Sequence, residues 1–213
     1  MAFNNKGTML NIIRETITDF CKKFIQNPYL CYTEHGLHAL FYTMLFNALS
    51  EEQRYLEWDG QKVCVIQKEY PTAMDLGKSR RQHWDIALLK KPPESIKEGP
   101  DSYDYLKLLA AIEFGMNEGK DHLEDDMERL CHKGSNVDHG FIVHLYRFSE
   151  SGALFSNRDW SNKSPRILTK EEACKCTEGN LIEMYYAISD ITKKMSSGLW
   201  KIHIGQETQL TLQ

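Results

Sequence analysis

Residues 108–120 read LLAAIEFGMNEGK, an apolar run that ends in a carboxylate, a turn and a lysine. The run from Leu108 to Phe114 predicts a strand that is buried on both faces. Glu113 is costly to bury there unless a cation or a hydrogen-bond network meets it. Asp85 lies in a similar setting, in the stretch WDIALL at 84–89. Together the two acids suggest metal-dependent chemistry, although each alone is more simply explained as an acid that flanks a strand.

Hydrophobic spacing predicts helices and strands around these acids. Apolar residues recur at helical intervals in three segments, 8–26, 33–49 and 119–132, and predict three helices. β-branched, aromatic and apolar residues predict strands at 62–71, 83–89, 108–114 and 140–148. Asp59-Gly60, before the first of these strands, is a turn signal.

The order of these elements predicts one α/β domain over residues 1–213, with a central mixed β-sheet flanked by helices. The core is expected at about 30–148, preceded by an N-terminal helix. Near the end of the chain, apolar residues again have helical spacing: Leu181, Met184, Tyr185, Ile188 and Ile191. They predict a C-terminal helical extension within about 149–213.

Composition narrows the class of protein. The chain has 213 residues, of which 41% are hydrophobic and 26% charged, as in an ordinary globular domain. No apolar run approaches the ~20 residues of a membrane helix, and six scattered cysteines without an export signal predict a cytoplasmic protein with reduced thiols. The net charge of −4 argues against a non-specific nucleic-acid coat protein. It leaves a nuclease open, because local basic patches can bind phosphate.

The acids have the chemistry of a metal site. Asp85 and Glu113 offer the hard oxygen ligands that Mg²⁺ (or Mn²⁺) takes together with substrate phosphate. Glu34 lies one turn before Leu37 on the apolar stripe of its helix, so its carboxylate is either aimed at the interior or is a first-turn acid favoured by the helix dipole.

A polar basic loop precedes the strand of Asp85. It carries Lys78, Arg80 and Arg81, which are candidate contacts to nucleic-acid phosphates. A solvated basic loop explains them equally well.

This pattern resembles the PD-(D/E)XK nuclease superfamily, which has the restriction-endonuclease-like fold. Glu34, Asp85 and Glu113 match its three acidic positions in order, over residues 30–148. The motif lysine is missing, because position 115 is glycine. Some members carry that lysine on the following helix, and Lys120 resembles such a displaced lysine. A pair with Glu124 on a solvated helix face is the simpler explanation of Lys120.

The resemblance implies a divalent-metal-dependent nuclease that acts on DNA. Asp85 and Glu113 would hold Mg²⁺, Lys120 would activate water or stabilise charge, and Glu34 would be an accessory acid. A homodimer is a candidate assembly, since many nucleases of this fold cut two strands with two subunits. The alternative is a catalytically degenerate protein that serves as a binding or interaction module, and Gly115 and the acidic net charge favour it.

Two further metal patterns are weak. Cys174 and Cys176 form a CxC pair that Cys131 and His132 could complete, but structural zinc usually has CxxC spacing. His35 and His38 are three residues apart on a predicted helix, without an HExxH motif.

Overall fold

The computed structural model describes residues 5–58, 60–72, 82–91, 107–118, 120–132, 134–148, 181–191, 197–203 and 206–212. These residues form four helices: α1 (Asn5–Gln26), α2 (Glu34–Ala48), α3 (Glu51–Arg54) and α4 (Lys120–Cys131). They also form nine strands: β1 (Tyr55–Trp58), β2 (Gln61–Cys64), β3 (Ile66–Pro71), β4 (His83–Lys91), β5 (Lys107–Met116), β6 (Val137–Phe148), β7 (Leu181–Asp190), β8 (Gly198–His203) and β9 (Gln206–Leu210).

Seven strands form one mixed sheet in the order β3-β4-β5-β6-β7-β8-β9. Strand β5 pairs antiparallel with β4 and parallel with β6, and β6 pairs parallel with β7. The remaining neighbours are antiparallel. Helix α4 connects the parallel strands β5 and β6, as a parallel pair requires. Strands β1 and β2 form a separate hairpin, whose turn has Gly60 at φ 72°.

Helices α1 and α2 cover one face of this sheet. The apolar stripe of α1, which includes Ile13, Ile17 and Phe20, is fully buried. Thr33 caps α2, because its side chain accepts a hydrogen bond from Gly36 N at 3.1 Å. The predicted helices at 8–26 and 33–49 are therefore confirmed.

Helix α4 covers the opposite face. Its residues Leu123, Met127 and Leu130 are buried against the sheet, in a cluster that includes Ala111 of β5 and Ile142 of β6. Because side chains alternate along a strand, Glu113 lies on the same face as Ala111. This alternation turns the acid toward α4.

The predicted C-terminal helix is wrong, because residues 181–190 form strand β7. Residues 183–190 are all buried, so β7 has no exposed face that would impose an alternating pattern. Its apolar residues then satisfy helical spacing by coincidence. Strands β7, β8 and β9 extend the central sheet, where a helical extension was expected.

Within the described ranges, no helix is both long enough and apolar enough to span a membrane.

Candidate functional site

The pairing of β4 with β5 brings the two strand-borne acids together. Ile86 lies opposite Ile112 in the antiparallel register, which places Asp85 beside Glu113. The two carboxyl groups are close enough for the charge of Asp85 to raise the pKa of Glu113. Asp85 Oδ2 also accepts a hydrogen bond from Phe114 N at 2.8 Å. The backbone of β5 thus fixes the orientation of the Asp85 carboxyl group.

Burial controls how this pair ionises. It raises the pKa of the Asp85 carboxyl group to about 6. Burial, reinforced by the nearby charge of Asp85, raises the pKa of Glu113 well above its ordinary range. Glu113 is only 2% exposed. Since two adjacent carboxylates resist simultaneous ionisation, the pair shares a proton unless a cation replaces it.

Helix α2 adds a third acid and a histidine. Glu34 Oε2 accepts a hydrogen bond from Met116 N at 3.2 Å, at the end of β5. His38 lies one turn further, with Nε2 3.7 Å from Asp85 Oδ2 and 3.9 Å from Glu34 Oε1. Burial lowers the pKa of His38 to about 4, so the ring is neutral near pH 7. Neither ring nitrogen has a hydrogen-bond partner among the described residues.

Helix α4 adds a buried acid and a cation. Arg129 Nη2 lies 2.6 Å from Asp126 Oδ1 and 3.3 Å from Glu113 Oε1. The second contact is an ion pair without hydrogen-bond geometry, since Glu113 Oε1 is buried and accepts no hydrogen bond. Arg129 therefore offsets part of the negative charge and leaves one oxygen of Glu113 unsatisfied.

Two more histidines surround Asp126. His122 Nε2 and His144 Nε2 lie 3.3 Å and 3.5 Å from Asp126 Oδ2. The His144 ring comes from β6 and covers Gly115 of β5, since a Cβ built on Gly115 would lie 2.7 Å from His144 Nε2. The space next to position 115 is thus occupied by an imidazole.

The structure brings together three of the predicted site residues: Glu34, Asp85 and Glu113. Lys120 is the first residue of α4, but its side chain lies outside the described residues. The predicted phosphate contacts Lys78, Arg80 and Arg81 also lie outside them, as do Cys174 and Cys176.

Sequence reasoning missed Asp126, Arg129, His122 and His144, and noted His38 only as half of a weak pair. The signal for His144 was Gly115 itself, because a glycine inside an apolar strand marks the close approach of another group. Asp126 and Arg129 gave no such signal, since an acid and a base three residues apart are common on exposed helix faces.

The side chains form a gradient of exposure across the site. Asp126 is 1% exposed, Glu113 3%, Asp85 19% and Glu34 32%. The site therefore opens to solvent on the side of Glu34. Carboxylate oxygens, among them the unsatisfied Glu113 Oε1, are the type of ligand that hard divalent cations prefer.

Searches of protein-family models, of curated proteins and of solved structures each find no match to this chain.

Proposed function

We propose that the protein is a divalent-metal-dependent nuclease that hydrolyses phosphodiester bonds in DNA. One observation carries the proposal: the register of two adjacent strands places Asp85 beside the buried Glu113, and the charge of Asp85 helps to raise the pKa of Glu113. Such a pair needs a shared proton or a cation. A cation that reaches it from the side of Glu34 could also contact a phosphate in solvent.

The donor set fits Mg²⁺ or Mn²⁺. Asp85 and Glu113 would hold the ion, which takes one or two carboxylates and keeps several waters. When bound, it lowers the pKa of a coordinated water and offsets charge that grows on the phosphate. Glu34, held by Met116 N, is placed to orient that water. In this proposal Lys120, at the start of α4, stabilises charge or takes the proton of the water.

The arrangement of elements supports the same proposal. Helix α2 is followed, after the short helix α3 and the β1-β2 hairpin, by the antiparallel strands β3, β4 and β5, then by helix α4 and the parallel strand β6. The resemblance to the restriction-endonuclease-like core implies a glutamate on a helix, an aspartate on a strand hairpin, then an acid-bearing strand, a helix and a further strand. Glu34 lies on α2, Asp85 on β4 and Glu113 on β5, which supports the proposal.

A homodimer and a cytoplasmic location belong to the same proposal. The first follows from the resemblance, and the second from the pattern of cysteines, of which Cys21, Cys31 and Cys64 are free thiols.

A second candidate function is a binding or interaction module without turnover. Two contacts favour it. Arg129 forms an ion pair with Glu113, for which a metal ion would have to compete. The His144 ring fills the space beside Gly115. A protein that had lost hydrolysis could retain the acids as a buried polar cluster.

A cleavage assay tests the nuclease proposal. The purified protein is incubated with single- and double-stranded DNA and Mg²⁺ or Mn²⁺, beside Glu113→Gln, Lys120→Ala and the control Glu128→Gln. Glu128 is an exposed acid on the same helix as Lys120. Loss of a charge-stabilising or proton-transfer group typically costs about 10²–10⁴-fold in rate. We expect that loss in the first two variants and none in the control.

Cleavage that survives in Glu113→Gln would place the chemistry elsewhere or identify a contaminant. Absence of cleavage by the unmodified protein on both substrates with both ions would favour the binding module. Cleavage lost in Glu113→Gln but kept in Lys120→Ala would retain the metal site and remove Lys120 from the mechanism.

A further inference from the structure

We propose that His122, Asp126 and His144 form a site for a transition-metal ion, Zn²⁺ above all. One ligand atom from each residue lies within 4.8 Å of the other two. Two imidazole nitrogens and one carboxylate oxygen are typical ligands of zinc. This ligand set differs from the all-oxygen pair Asp85 and Glu113, and it lies on the opposite side of Asp126 from Arg129 Nη2.

Two of the three distances between ligand atoms match a coordination shell. With bond lengths of about 2.0–2.2 Å, two ligands of a tetrahedral zinc ion are separated by roughly 3.3–3.5 Å. Asp126 Oδ2 lies 3.3 Å from His122 Nε2 and 3.5 Å from His144 Nε2. Without an ion, His144 Nε2 is hydrogen-bonded to Asp126 Oδ2, and His122 Nε2 lies 3.4 Å from Phe114 O as well as 3.3 Å from Asp126 Oδ2. An ion that binds between Asp126 and the two rings therefore requires little movement of these side chains.

Neighbouring groups hold two of the ligands in place. The second ring nitrogen of His144, Nδ1, lies 3.2 Å from the Tyr146 hydroxyl. The second oxygen of Asp126, Oδ1, accepts a hydrogen bond from Arg129 Nη2 at 2.6 Å. Metal-binding histidines and carboxylates usually have such outer partners, which fix the ring orientation and the free oxygen. These contacts leave His144 Nε2 and Asp126 Oδ2 available to bind the same ion.

Gly115 makes the position of His144 available. A side chain there would overlap the imidazole, since its Cβ would lie 2.7 Å from Nε2, the proposed ligand atom. The His144 ring can therefore occupy this position only because residue 115 has no side chain. The glycine that departs from the nuclease motif makes room for a nitrogen ligand.

Access to the site runs past His122. Asp126 and His144 are 1% and 0% exposed, whereas the His122 side chain is 38% exposed. His122 therefore forms the solvent side of the site, where an ion can enter. Since three protein ligands leave a fourth position for water or another group, the bound ion would retain an open coordination position.

Metal titration without DNA tests the inference. Metal-stripped protein is titrated with Co²⁺, whose visible absorption reports ligand type and geometry, and Zn²⁺ is then added as a competitor. The variants are His122→Gln and Asp126→Asn, with His132→Gln and His35→Gln as controls. His122 is partly exposed, so its replacement preserves folding even if changes at the buried His144 do not. Circular dichroism confirms the fold of each variant.

We expect one equivalent of Co²⁺ to bind with the absorption of a nitrogen- and oxygen-ligated ion, and Zn²⁺ to displace it. Even outer-shell changes weaken metal affinity about 10–100-fold, so we expect His122→Gln and Asp126→Asn to weaken it at least about 10-fold. His132→Gln should bind normally.

Three results would overturn the inference. One is the absence of Co²⁺ absorption in the unmodified protein. Another is equal binding in His122→Gln. The third is loss of binding in His35→Gln, which would assign the ion to the cluster of His35, His38 and Glu69. None of them depends on DNA cleavage, so failure of this site and failure of the proposed nuclease are distinguishable.

Discussion

The imidazole of His144 stands over Gly115 on the neighbouring strand, so closely that a Cβ on the glycine would lie 2.7 Å from His144 Nε2. The ring is completely buried, and its two nitrogens contact Tyr146 and Asp126. It therefore cannot move aside without breaking polar contacts. This relationship explains why position 115, near the end of the tightly packed strand β5, holds a glycine.

Restoring a side chain at position 115 should destabilise the protein. Overpacking a buried site typically costs about 1–3 kcal/mol, and we expect Gly115→Ala to lower the free energy of unfolding by about that amount. Urea unfolding would measure it. In a double-mutant cycle, His144→Ala should remove most of the cost of Gly115→Ala, because the overlapping ring is gone. Additive losses in the double variant would mean that other neighbours oppose the side chain.

The Asp85 carboxyl group should make stability depend on pH. Its pKa is raised from an ordinary value of about 3.9 to about 6 by burial. The unfolded chain therefore ionises it more easily, so the contribution of Asp85 to stability is greatest below about pH 4 and falls as the pH rises toward 6. A pKa difference of about 2 corresponds to about 3 kcal/mol as an upper bound.

Asp85→Asn should flatten this part of the pH profile. The amide keeps an acceptor for Phe114 N and remains neutral, so we expect the variant to be up to about 3 kcal/mol more stable than the metal-free unmodified protein at pH 7. Thermal unfolding from pH 4 to 7 would measure the difference. A profile that keeps its slope in Asp85→Asn would assign the pH dependence to another group.

Divalent cations should stabilise the folded protein through the acid pair. An ion that binds only the folded state at 100 times its Kd adds about 2.7 kcal/mol of stability. We expect Mg²⁺ or Mn²⁺ to raise Tm in the unmodified protein and in Glu128→Gln. The shift should be lost in Asp85→Asn and Glu113→Gln. An equal shift in all four proteins would indicate binding away from these acids.

The ion pairs of Glu183 with Arg14 and Lys201 should control the stability of the fold at low pH. Glu183 of β7 is 2% exposed and contacts Arg14 of α1 at 2.7 Å and Lys201 of β8 at 2.6 Å. Although burial alone would raise the pKa of Glu183, its hydrogen bonds to Arg14 and Lys201 outweigh that effect and lower the pKa to about 2. The stabilisation is therefore complete above the ordinary pKa of about 4.3. It is lost as the pH falls toward 2.

Replacing Glu183 with glutamine should remove this contribution. Arg14 and Lys201 are each about a quarter exposed and can turn to solvent, so we expect a loss near the 1.5–3 kcal/mol of a hydrogen bond to a charged group, roughly 2 kcal/mol. Acid unfolding between pH 5 and 2 would measure it. Glu15→Gln, on the same helix as Arg14, is the control. A variant that unfolds at the same pH as the unmodified protein would contradict the assignment.

Sequence periodicity predicted helices α1, α2 and α4, which have one polar face, and assigned the buried strand β7 to a helix. Helices α1, α2 and α4 each bury one stripe, so their apolar residues recur at helical intervals. Strand β7 is buried on both sides. Met184, Tyr185 and Ile188 then fit a helix as well as a strand, and only the aromatic and β-branched content pointed to the strand.

The candidate site also contains residues that the sequence could predict and residues that it could not. Asp85 and Glu113 could be predicted because an acid in an apolar strand conflicts with its surroundings. Asp126 could not, since helix α4 is rich in acids and only the packing of the sheet shows which one is buried. His144 lies in β6 and reaches Asp126 of α4, a contact that depends on the crossover between β5 and β6.

The ion pair between Arg14 and Glu183 joins residues that are 169 positions apart in the chain. At about 5–20 residues per second, a ribosome would need roughly 8 to 34 s after making Arg14 to make Glu183. During that interval the apolar stripe of α1 lacks the strand that covers it in the finished fold. The contact between α1 and β7 therefore forms late, and part of the apolar stripe of α1 stays uncovered until the last strands emerge.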